Sequence, residues 1–465
     1  MIFQRFPAHA GAVARAIVTA IVLTGCQTYK PAPLDLAAHV KGWRKNNASD
    51  QEVASFARTI AASQPARFDK FDPIDGISYT EGEVISLVFN PDLRIARLNA
   101  GIEKATAENA GRWKDPNYNL TLLSIRENVS DPWFLSTGLS LTIPISGRVT
   151  AEKKRAVTAL NTAFLRIAEA EWTVIRNLRN SWLAWSALRL KREQTDKIIR
   201  DLDLIISSIS QIADAGELAS TEANLFLLER EDRRAELDGI RASIAEELLR
   251  IRAQLGLHPE AEIELAPALF FSPDLSRNID IEITNPSLSR LRGEHEVAER
   301  TLVREIRKQY PDLTIGPQTE SDEGQSRIGF MGMIPVPVLN SNRKGIAEAR
   351  ASREIAEAAF ETEYQRIVVQ LARLRARLSG IQSRRNRFDE VLVPLADQQV
   401  KDAFRLLELG EGNSLVLLQS IVRAYEAKLA LIDLELERTQ VANEIRFLLG
   451  PNGAARNRQP QEVTL

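Results

Sequence analysis

The stretch Ile328–Ala351, IGFMGMIPVPVLNSNRKGIAEARA, changes its hydrophobic pattern abruptly. Its first half alternates between two kinds of residue, which is typical of a β-strand, and its second half is charged with helical spacing. An earlier stretch, Leu139–Ala156, LSLTIPISGRVTAEKKRA, makes the same change. Prolines stand at both joins, where the missing backbone N–H ends a ladder of strand hydrogen bonds. Each stretch therefore predicts a strand followed directly by a helix.

Both stretches belong to an internal repeat that covers most of the chain. Four landmarks recur at a displacement of 193 to 195 positions, namely Asn90–Leu93 with Asn285–Leu288, Asp115–Pro116 with Tyr310–Pro311, Ile143–Ile145 with Val336–Val338, and Ala215–Glu217 with Leu409–Glu411. A period this long indicates a duplicated domain, because the repeats of solenoid proteins are far shorter. The sequence therefore predicts two copies of one structural unit.

Each unit is expected to contain a helix, a strand hairpin and two long antiparallel helices. The first helix is predicted over about Thr80–Trp113 and again over Thr284–Tyr310. Long helical patterns then begin near Arg148 and Arg343. A continuous helix from Arg148 to Ala215 would be roughly 100 Å long at 1.5 Å per residue. Such a length indicates a structure that spans distance.

The first long helix carries two seams, and both long helices have a returning partner. Apolar residues recur at steps of three and four, as in a coiled coil, at Leu160, Phe164, Ile167, Val174, Leu178, Trp182 and Trp185. Alanines beside this seam predict a second packing surface. Gly216 and Gly410 interrupt the long patterns, and helices return over Ser220–Leu255 and Ser414–Leu449. A glycine follows each returning helix, as in a C-terminal cap.

The strand segments alternate between an apolar and a polar face. The apolar positions are Tyr118, Leu120, Leu122, Leu139, Leu141, Ile143, Ile145, Leu313, Ile315, Ile328, Phe330, Ile334, Val336 and Val338. Tilted strands of about 9–11 residues cross a bilayer, and aromatic girdles are expected from Trp113 with Tyr118 at one end and Trp133 with Phe134 at the other. A soluble sandwich with one wet face is the alternative. The small number of strands and their separation by long helices favour a membrane barrel.

Two hairpins provide too few strands for a closed barrel. Bacterial outer-membrane barrels begin at about eight strands. In lipid, an open sheet edge leaves backbone groups unsatisfied at a cost of several kcal/mol each. The chain is therefore expected to form an oligomer in which each copy contributes four strands to one shared barrel.

The N-terminus carries a secretory signal. Arg5 and Arg15 precede the apolar run Ala16–Leu23, and Leu-Thr-Gly then leads to Cys26, which is the one cysteine of the chain. The segment resembles a bacterial lipobox, which implies cleavage before Cys26 and its diacylation. Several acyl chains would anchor the protein stably, and Gln27 favours delivery to the outer membrane. The alternative is a signal peptide with an incidental cysteine.

Composition excludes several classes of function. Basic and acidic residues are balanced at 60 and 62, so no global positive charge indicates nucleic-acid binding. The four histidines are scattered and there is one cysteine, so neither a metal site nor a cofactor is predicted. No catalytic triad or glycine-rich phosphate loop occurs, so the protein is not expected to be an enzyme. Beyond the N-terminus, no apolar run is long enough for a membrane-spanning helix.

With these features together, the chain resembles the outer membrane factor family, the TolC-like channels of tripartite efflux and secretion systems. The resemblance runs from about Tyr79 to Gly450. It rests on NPDLRIARLNAGIEKA, LSLTIPISGR, VLVPLADQQVKDAFRLLELGEGNSLVLLQ with its helix-breaking Pro394, and EIRFLLG. It implies a mostly α protein that forms a homotrimer, with a 12-stranded β-barrel in the cell outer membrane continued by an α-helical barrel in the periplasm.

The resemblance also implies a domain organisation. We expect a lipoprotein signal peptide over 1–25, an acylated tether over 26–78, a first repeat over 79–258, an equatorial linker over 259–283, a second repeat over 284–450 and a tail over 451–465. Within the tether, one short helix is predicted near Asp50–Ser63.

The turns between the long helices correspond to the family's tips, which meet a periplasmic adaptor. They map onto Gly216, Glu217 and Leu218 and onto Gly410 and Glu411. The implied partners are a membrane-fusion adaptor, outer-membrane lipid and an inner-membrane pump, which is expected to be of the resistance-nodulation-division type, with an ATP-driven pump as the alternative. The sequence Glu-Gly-Asn-Ser stands where many relatives have an apolar residue after the turn, so the adaptor geometry stays open.

The expected function is an outer-membrane exit channel for small toxic compounds, either metal cations or drugs. Asp214, Glu222 and Glu408 join Glu217 and Glu411 near the tips, and threefold symmetry would multiply them into acidic rings that favour cations. The alternative is ordinary solvated helix ends. A channel for type I protein secretion and a purely structural, lipid-anchored coiled coil are the other hypotheses. Met331 and Met333 share a face and either contact a soft metal or serve as pore or packing residues.

Overall fold

The computed structural model of the chain describes residues 29–63, 71–73, 75–124, 126, 133–214, 219–269, 281–322, 325–409 and 411–451, with backbone only for 212–214. The chain divides into a unit that ends at Lys45 and a unit that begins at Asn46. The first unit contains helix α1, Leu36–Trp43, whose N-terminus is capped by Asp35 Oδ1 accepting from Ala38 N at 2.9 Å. All elements described below lie in the second unit.

The second unit holds two copies of one pattern after a leading helix α2, Gln51–Ser63. The first copy comprises α3 Tyr79–Phe89, α4 Pro91–Asn109, β1 Asn117–Ser124, β2 Trp133–Ile143, α5 Arg148–Asp214 and α6 Ser220–Leu255. The second comprises α7 Ile281–Thr284, α8 Pro286–Arg307, β3 Leu313–Asp322, β4 Gln325–Met333, α9 Arg343–Arg387, a π-helical turn Phe388–Leu392, α10 Val393–Glu408 and α11 Ser414–Leu449. Among the described helices, none combines the length and apolarity that a bilayer span requires.

The single helix predicted over Thr80–Trp113 is wrong, because the chain breaks at Asn90 into α3 and α4. Asn90 leaves helical geometry, and its Oδ1 accepts from the backbone N–H of Asp92 at 3.0 Å. The helix predicted over Thr284–Tyr310 is confirmed as α8, which begins after Asn285, because Asn285 Oδ1 accepts from Leu288 N at 3.0 Å and caps the helix. In both copies the following proline has no N–H to donate and suits the first helical position.

The asparagines have a second role that links the two ends of each copy. Asn90 Nδ2 donates to the carbonyl of Gln254 at 2.9 Å, and Asn285 Nδ2 donates to that of Leu448 at 2.8 Å. These carbonyls belong to the last turns of α6 and α11, which otherwise lack partners within the helix. The same side chain therefore starts one helix and ends another, and this contact is preserved in both copies.

The two long helices differ in regularity. Helix α5 is continuous from Arg148 to Asp214, as predicted, over roughly 100 Å. Its counterpart passes from α9 into α10 through the π-helical turn Phe388–Leu392, two residues before Pro394. Proline has no N–H to donate to the carbonyl four residues earlier, so the regular α-helical hydrogen bond cannot form there. A π-helical turn is wider and does not require that hydrogen bond. Pro394 therefore changes the local helix type and does not end the helix.

The core is a series of clusters along the helices. The largest surrounds the fully buried Trp182 and Leu178 of α5, against which Ile85 of α3 and Leu255 of α6 pack. A second lies between α8, α9 and α11, and a third lies among α5, α6, α10 and α11 near the predicted tips. Helix α2 packs into the first cluster through Val53, which is fully buried. Each long helix is thus stabilised by lateral neighbours along much of its length.

The four strands form one antiparallel sheet in the order β1-β2-β3-β4. The two hairpins meet through β2 and β3, where Leu141 lies opposite Ile315 and Ile143 opposite Leu313. The predicted hairpins are therefore confirmed. The predicted alternation on to Val338 overextends the last strand, which ends at Met333, and the alternation on to Ile145 overextends β2, which ends at Ile143. Met333 lies opposite Thr314, and β3 begins at Leu313, so in this register no β3 residue would lie opposite the residues after Ile334.

Candidate channel surfaces

The sheet has one apolar and one polar face. The register places on the first face the apolar residues Tyr118, Leu120, Leu122, Trp133, Leu135, Leu139, Leu141, Ile143, Leu313, Ile315, Ile328 and Phe330, together with the hydroxyl residues Ser124, Thr137, Thr319, Ser321 and Ser326. It places on the second Asn117, Asn119, Thr121, Ser136, Ser140, Thr142, Thr314, Gln318, Glu320, Asp322, Gln325 and Arg327. Leu123, Met331 and Met333 also lie on the polar face. The segregation extends over all four strands, as transmembrane strands around an aqueous bore require.

The described residues of the chain leave the apolar face uncovered. Ile328 is 86% exposed, Phe330 71% and Tyr118 66%, which is unusual for large apolar side chains in contiguous rows. On the polar face, side chains are joined across strands by hydrogen bonds, as from Gln318 Nε2 to Ser136 Oγ at 3.1 Å. Trp133 lies at the opposite end of the apolar face from Tyr118, as the girdle prediction requires. Phe134 is on the polar face, because adjacent strand residues point to opposite sides.

Gly316 permits the close approach of the two hairpins. A Cβ built on Gly316 would lie 1.8 Å from the carbonyl oxygen of Leu139 on β2, so no other residue can occupy this position without moving the backbone. The amino-acid sequence alone does not reveal this requirement. A glycine within a strand indicates only a bulge or a close approach of some kind, and the approaching strand comes from the other repeat.

The chain has two unsatisfied edges, one from each repeat. Within the described residues, β1 and β4 are the outer strands of the sheet. The helices continue this order, since α4 packs on α5, α5 on α8, and α8 on α9. Further along, α6 packs on α5, α5 on α11, and α11 on α9 and α10. One edge therefore consists of β1, α4 and α6, and the other of β4, α9 and α10.

Both edges expose apolar side chains in helical rows. Helix α4 carries Ile95, Leu98 and Ile102, which are 57 to 65% exposed and share one face. On the other edge, Ile355 of α9 is 69% exposed and Leu395 of α10 is 63% exposed. Such rows on opposite edges of one chain indicate surfaces that a further polypeptide covers.

The predicted tip residues lie at the ends of the long helices. Glu222 is in the first turn of α6, and its Oε2 accepts a hydrogen bond from Ser414 Oγ at the start of α11, which links the two returning helices. Glu408 is the last residue of α10, and the N–H of Glu411 donates to the carbonyl of Leu406 at 3.1 Å. For Asp214 the structure describes the backbone only, as the last residue of α5.

Several predicted sites fall outside the described residues. These are the acylation site Cys26 and the tip residues Gly216, Glu217, Leu218 and Gly410. Behind the tips, Thr195 Oγ1 and Tyr425 Oη lie 2.8 Å apart and tie α5 to α11. Burial raises the pKa of Tyr425 to about 12, so this phenol stays protonated. The described residues contain no group of three or more His, Cys, Asp or Glu side chains that could hold a metal ion.

Solved structures with the same arrangement of strands and helices are outer-membrane channels. The outer membrane protein VceC from Vibrio cholerae matches with a TM-score of 0.67 and 17% identity, over 80% of this chain and 96% of VceC. The outer-membrane channel OprN matches with a TM-score of 0.69 and 14% identity, over 92% and 98%. The MtrE outer membrane channel of Neisseria gonorrhoeae, in its open state, matches at 0.66 and 15%, over 80% and 89%. The chain has the fold of these outer-membrane channels.

The fold expected from the family resemblance is thereby confirmed. No protein-family model matches the chain, and no curated protein matches it in sequence. In this fold, the four-stranded sheet and the long helices form two distinct parts. The junction between the two parts consequently determines how the helices leave the sheet.

A buried carboxylate organises that junction in the second repeat. Ser341 and Asn342, just before α9, both have positive φ, which is uncommon for residues other than glycine. Asn342 Nδ2 donates to the carbonyl and to Oε2 of Glu305, both at 2.9 Å. Arg304 and Lys308 also donate to Glu305 Oε1, at 2.7 and 2.8 Å. This carboxylate therefore holds the strained turn against the end of α8.

The pKa of Glu305 makes a testable prediction. Burial alone would raise this pKa, but hydrogen bonds from Lys308, Asn342 and Arg304 outweigh it and lower the pKa to about 2. The stabilisation is therefore complete above the unfolded pKa of about 4.5 and is lost as the pH falls towards 2. We expect Glu305→Gln to cost roughly 2–3 kcal/mol at pH 7, measured by circular dichroism of thermal unfolding in detergent.

The pH dependence of the difference separates this effect from simple loss of packing. The gap between the wild-type protein and Glu305→Gln should shrink progressively between pH 4.5 and pH 2. A gap of the same size at pH 7 and pH 2.5 would contradict the assigned role of the charged carboxylate.

Proposed function

We propose that three copies of the chain close into a ring and form the outer-membrane exit channel of a tripartite efflux system. The single observation that carries this proposal is the pair of unsatisfied edges, one from each repeat. Because the edges differ, copies must associate head to tail, and such contacts close into a ring when the rotation allows. Four strands per copy then make a barrel without open edges in the lipid.

The contacts between copies follow from the duplication. Inside the chain, the repeats meet through β2 with β3, α5 with α8, and α5 with α11. The same contacts can be formed between copies when each element is replaced by its counterpart in the other repeat. This replacement pairs β4 of one copy with β1 of the next copy, α9 with α4, and α10 with α6. These are the elements that form the two edges. The exposed apolar rows of α4, α9 and α10 would then be covered by neighbouring copies.

The remaining parts of the proposal concern attachment and partners. We propose that acyl chains on Cys26 anchor each copy in the outer membrane and that the long helices extend into the periplasm. The tip turns around Gly216 and Gly410 would meet a membrane-fusion adaptor, which is joined to an inner-membrane pump of the resistance-nodulation-division type. The fold shared with outer-membrane channels supports this role. The role is transport and involves no catalysis.

The duplication also predicts the register between copies. Across β2 and β3, Thr137 Oγ1 and Thr319 Oγ1 are 2.8 Å apart. The counterpart of Thr137 in the second repeat, 193 positions later, is Phe330. The counterpart of Thr319 in the first repeat, 195 positions earlier, is Ser124. Phe330 of one copy should therefore lie opposite Ser124 of the next copy.

Cysteine cross-linking tests this register. In a Cys26→Ser background, we expect Phe330→Cys with Ser124→Cys to form disulfides under mild oxidation, because directly opposite residues have close Cβ atoms. A denaturing gel should show a ladder that ends at three copies. As a control, Phe330→Cys with Tyr118→Cys should not cross-link, since Tyr118 is about 20 Å further along the strand. A ladder that ends at two copies, or equal cross-linking of both pairs, would contradict the ring.

A further inference from the structure

Helix α9 contains a segment whose only charged residues are arginines. Between Tyr364 and Phe388 there are seven arginines and no aspartate, glutamate or lysine, although the whole chain is nearly neutral. Four of them, Arg366, Arg373, Arg377 and Arg384, are separated by seven, four and seven positions. These spacings place the four side chains on one face of the helix. We call this set the arginine row.

The arginine row lies beside the packed seam of α9 and not within it. The seam consists of Ile367, Leu371 and Ile381, which are buried against α11 together with Leu374 and Leu378. The row is displaced from this seam by one position, which is about 100° around the helix. Arg377 is 59% exposed. The row therefore faces away from the neighbouring helix and into open space.

The side of the helical layer on which the row lies can be identified through α11. Arg377 Nη2 donates to Glu437 Oε1 at 2.8 Å. Two positions further along α11, Thr439 Oγ1 donates to the carbonyl of Leu269 at 3.2 Å. Residues two apart on a helix point about 200° apart. The arginine row and the segment 259–269 consequently lie on opposite sides of the layer.

The segment 259–269 runs over one side of the helical layer and covers it with irregular structure. The carbonyl of Ala266 accepts from Trp182 Nε1 at 2.9 Å, and Ala268 N donates to Ser186 Oγ at 3.0 Å, both on α5. Leu269 packs against Leu183 and Ala187 of the same helix. Such a covering inside a tunnel would obstruct it, so in the proposed ring this side faces outward. The arginine row then faces the bore.

The acidic side chains on the bore side of α11 are already neutralised. Asp433, Glu437 and Glu444 recur at four and seven positions and share one face. Lys191 pairs with Asp433 at 2.5 Å, Arg377 with Glu437 at 2.8 Å and Arg176 with Glu444 at 3.8 Å.

Positive charge remains in excess on α9. Arg366 is paired with Glu363, one turn earlier on the same helix. Within the part of the chain that the structure describes, Arg373 and Arg384 have no ion pair. These two side chains therefore leave an uncompensated positive charge on the bore side.

We propose that the arginine row forms an anion-binding belt in the bore, so that the compounds carried bear carboxylate, phosphate or sulfonate groups. This inference rests on the proposed ring and specifies its substrate class. Guanidinium groups bind such oxyanions through paired N–H donors, and rings of arginine favour anions in pores. Of the two substrate classes expected from sequence, the belt disfavours metal cations.

The acidic residues near the tips do not cancel the belt. Arg384 and Glu408 are 24 positions apart along α9 and α10, which corresponds to about 36 Å. The Debye length in physiological salt is about 8 Å, so the two groups of charges act separately. A substrate would meet the tips first and the belt afterwards.

Channel block by a multivalent anion tests the proposal. Purified protein is placed in planar lipid bilayers, and its conductance is titrated with inorganic pyrophosphate on both sides. We expect Arg373→Gln with Arg384→Gln to raise the half-blocking concentration roughly tenfold, since two positive charges per copy are removed from the bore. The charge-preserving pair Arg373→Lys with Arg384→Lys should retain most of the block.

Arg375→Gln is the matched control, because Arg375 lies two positions from Arg373 and Arg377 and so points to the other side of α9. Its half-blocking concentration should equal that of the wild-type protein. Normal conductance with unchanged block in the double Gln variant, or equal weakening by Arg375→Gln, would overturn the belt alone. A wild-type protein without conductance would overturn the ring, and the belt would fall with it.

Discussion

Leu120→Arg is expected to abolish insertion of the protein into the outer membrane, whereas Thr121→Arg is expected to leave insertion intact. Leu120 lies in the middle of β1 on the apolar face and is 62% exposed, so in the proposed barrel its side chain would contact lipid. An arginine at the midplane of the lipid face of a barrel costs about 2–4 kcal/mol. Three copies would each bear that cost. Density-gradient separation of the membranes, followed by gel migration with and without heating, measures insertion and assembly.

Thr121 is the matched control because it is adjacent in sequence and lies on the polar face, opposite Ser136. An arginine there would extend into the aqueous bore. Far-ultraviolet circular dichroism should show the same helical content in both variants, since the long helices are built separately from the strands. Equal insertion of the two variants would contradict the assignment of the apolar face to lipid.

The sequence alone is sufficient for the general fold because the duplication is long and its landmarks are clear. The prolines after β2 and β4 locate the strand ends, and the alternation of Leu120 with Thr121 gives the two faces of the sheet. These signals are local, so they can be read without knowledge of the neighbours. The predicted order of helices and strands was confirmed for the same reason.

Features that depend on two distant segments were not predictable. The break at Asn90 is indicated locally by the proline that follows it. The hydrogen bond from the Asn90 side chain to the carbonyl of Gln254 has no such local signal. Gly316 requires knowledge that β2 of the other repeat approaches it. The spacing of the arginine row is visible in the sequence, yet the side it faces is known only from the contacts of Glu437 and Thr439.

The symmetry of the molecule follows from the same duplication. A single repeat has unsatisfied edges on both sides, and joining two repeats in one chain satisfies one pair of edges through β2 and β3. The other pair stays open at β1 and β4. Inside the chain, the satisfied edge includes ion pairs such as Arg290 with Glu169 at 2.5 Å. The position equivalent to Arg290 in the first repeat is Ile95, so in the proposed ring the contacts between copies are expected to be more apolar.

Gly256→Ala is expected to destabilise the chain by at least about 3 kcal/mol, as measured by thermal unfolding in detergent. Gly256 has φ of 72° at the end of α6, where an L-residue is strained by about 1–2 kcal/mol. A Cβ at this position would also lie 2.2 Å from the carbonyl oxygen of Phe89 at the end of α3. This contact is with backbone, so the join between α3 and α6 would have to open.

The second repeat provides an internal check on this expectation. Gly450 has φ of 83°, and a Cβ there would lie 2.1 Å from the carbonyl oxygen of Thr284, so Gly450→Ala should have a similar cost. Gly239 is the control, since it lies within α6 and a built Cβ there would have no described atom within 4 Å apart from its chain neighbours and the adjacent backbone of its own helix. Gly239→Ala should stabilise the helix by up to about 1 kcal/mol. Equal changes in stability for Gly256→Ala and Gly239→Ala would contradict the claim that a close backbone contact requires glycine at positions 256 and 450.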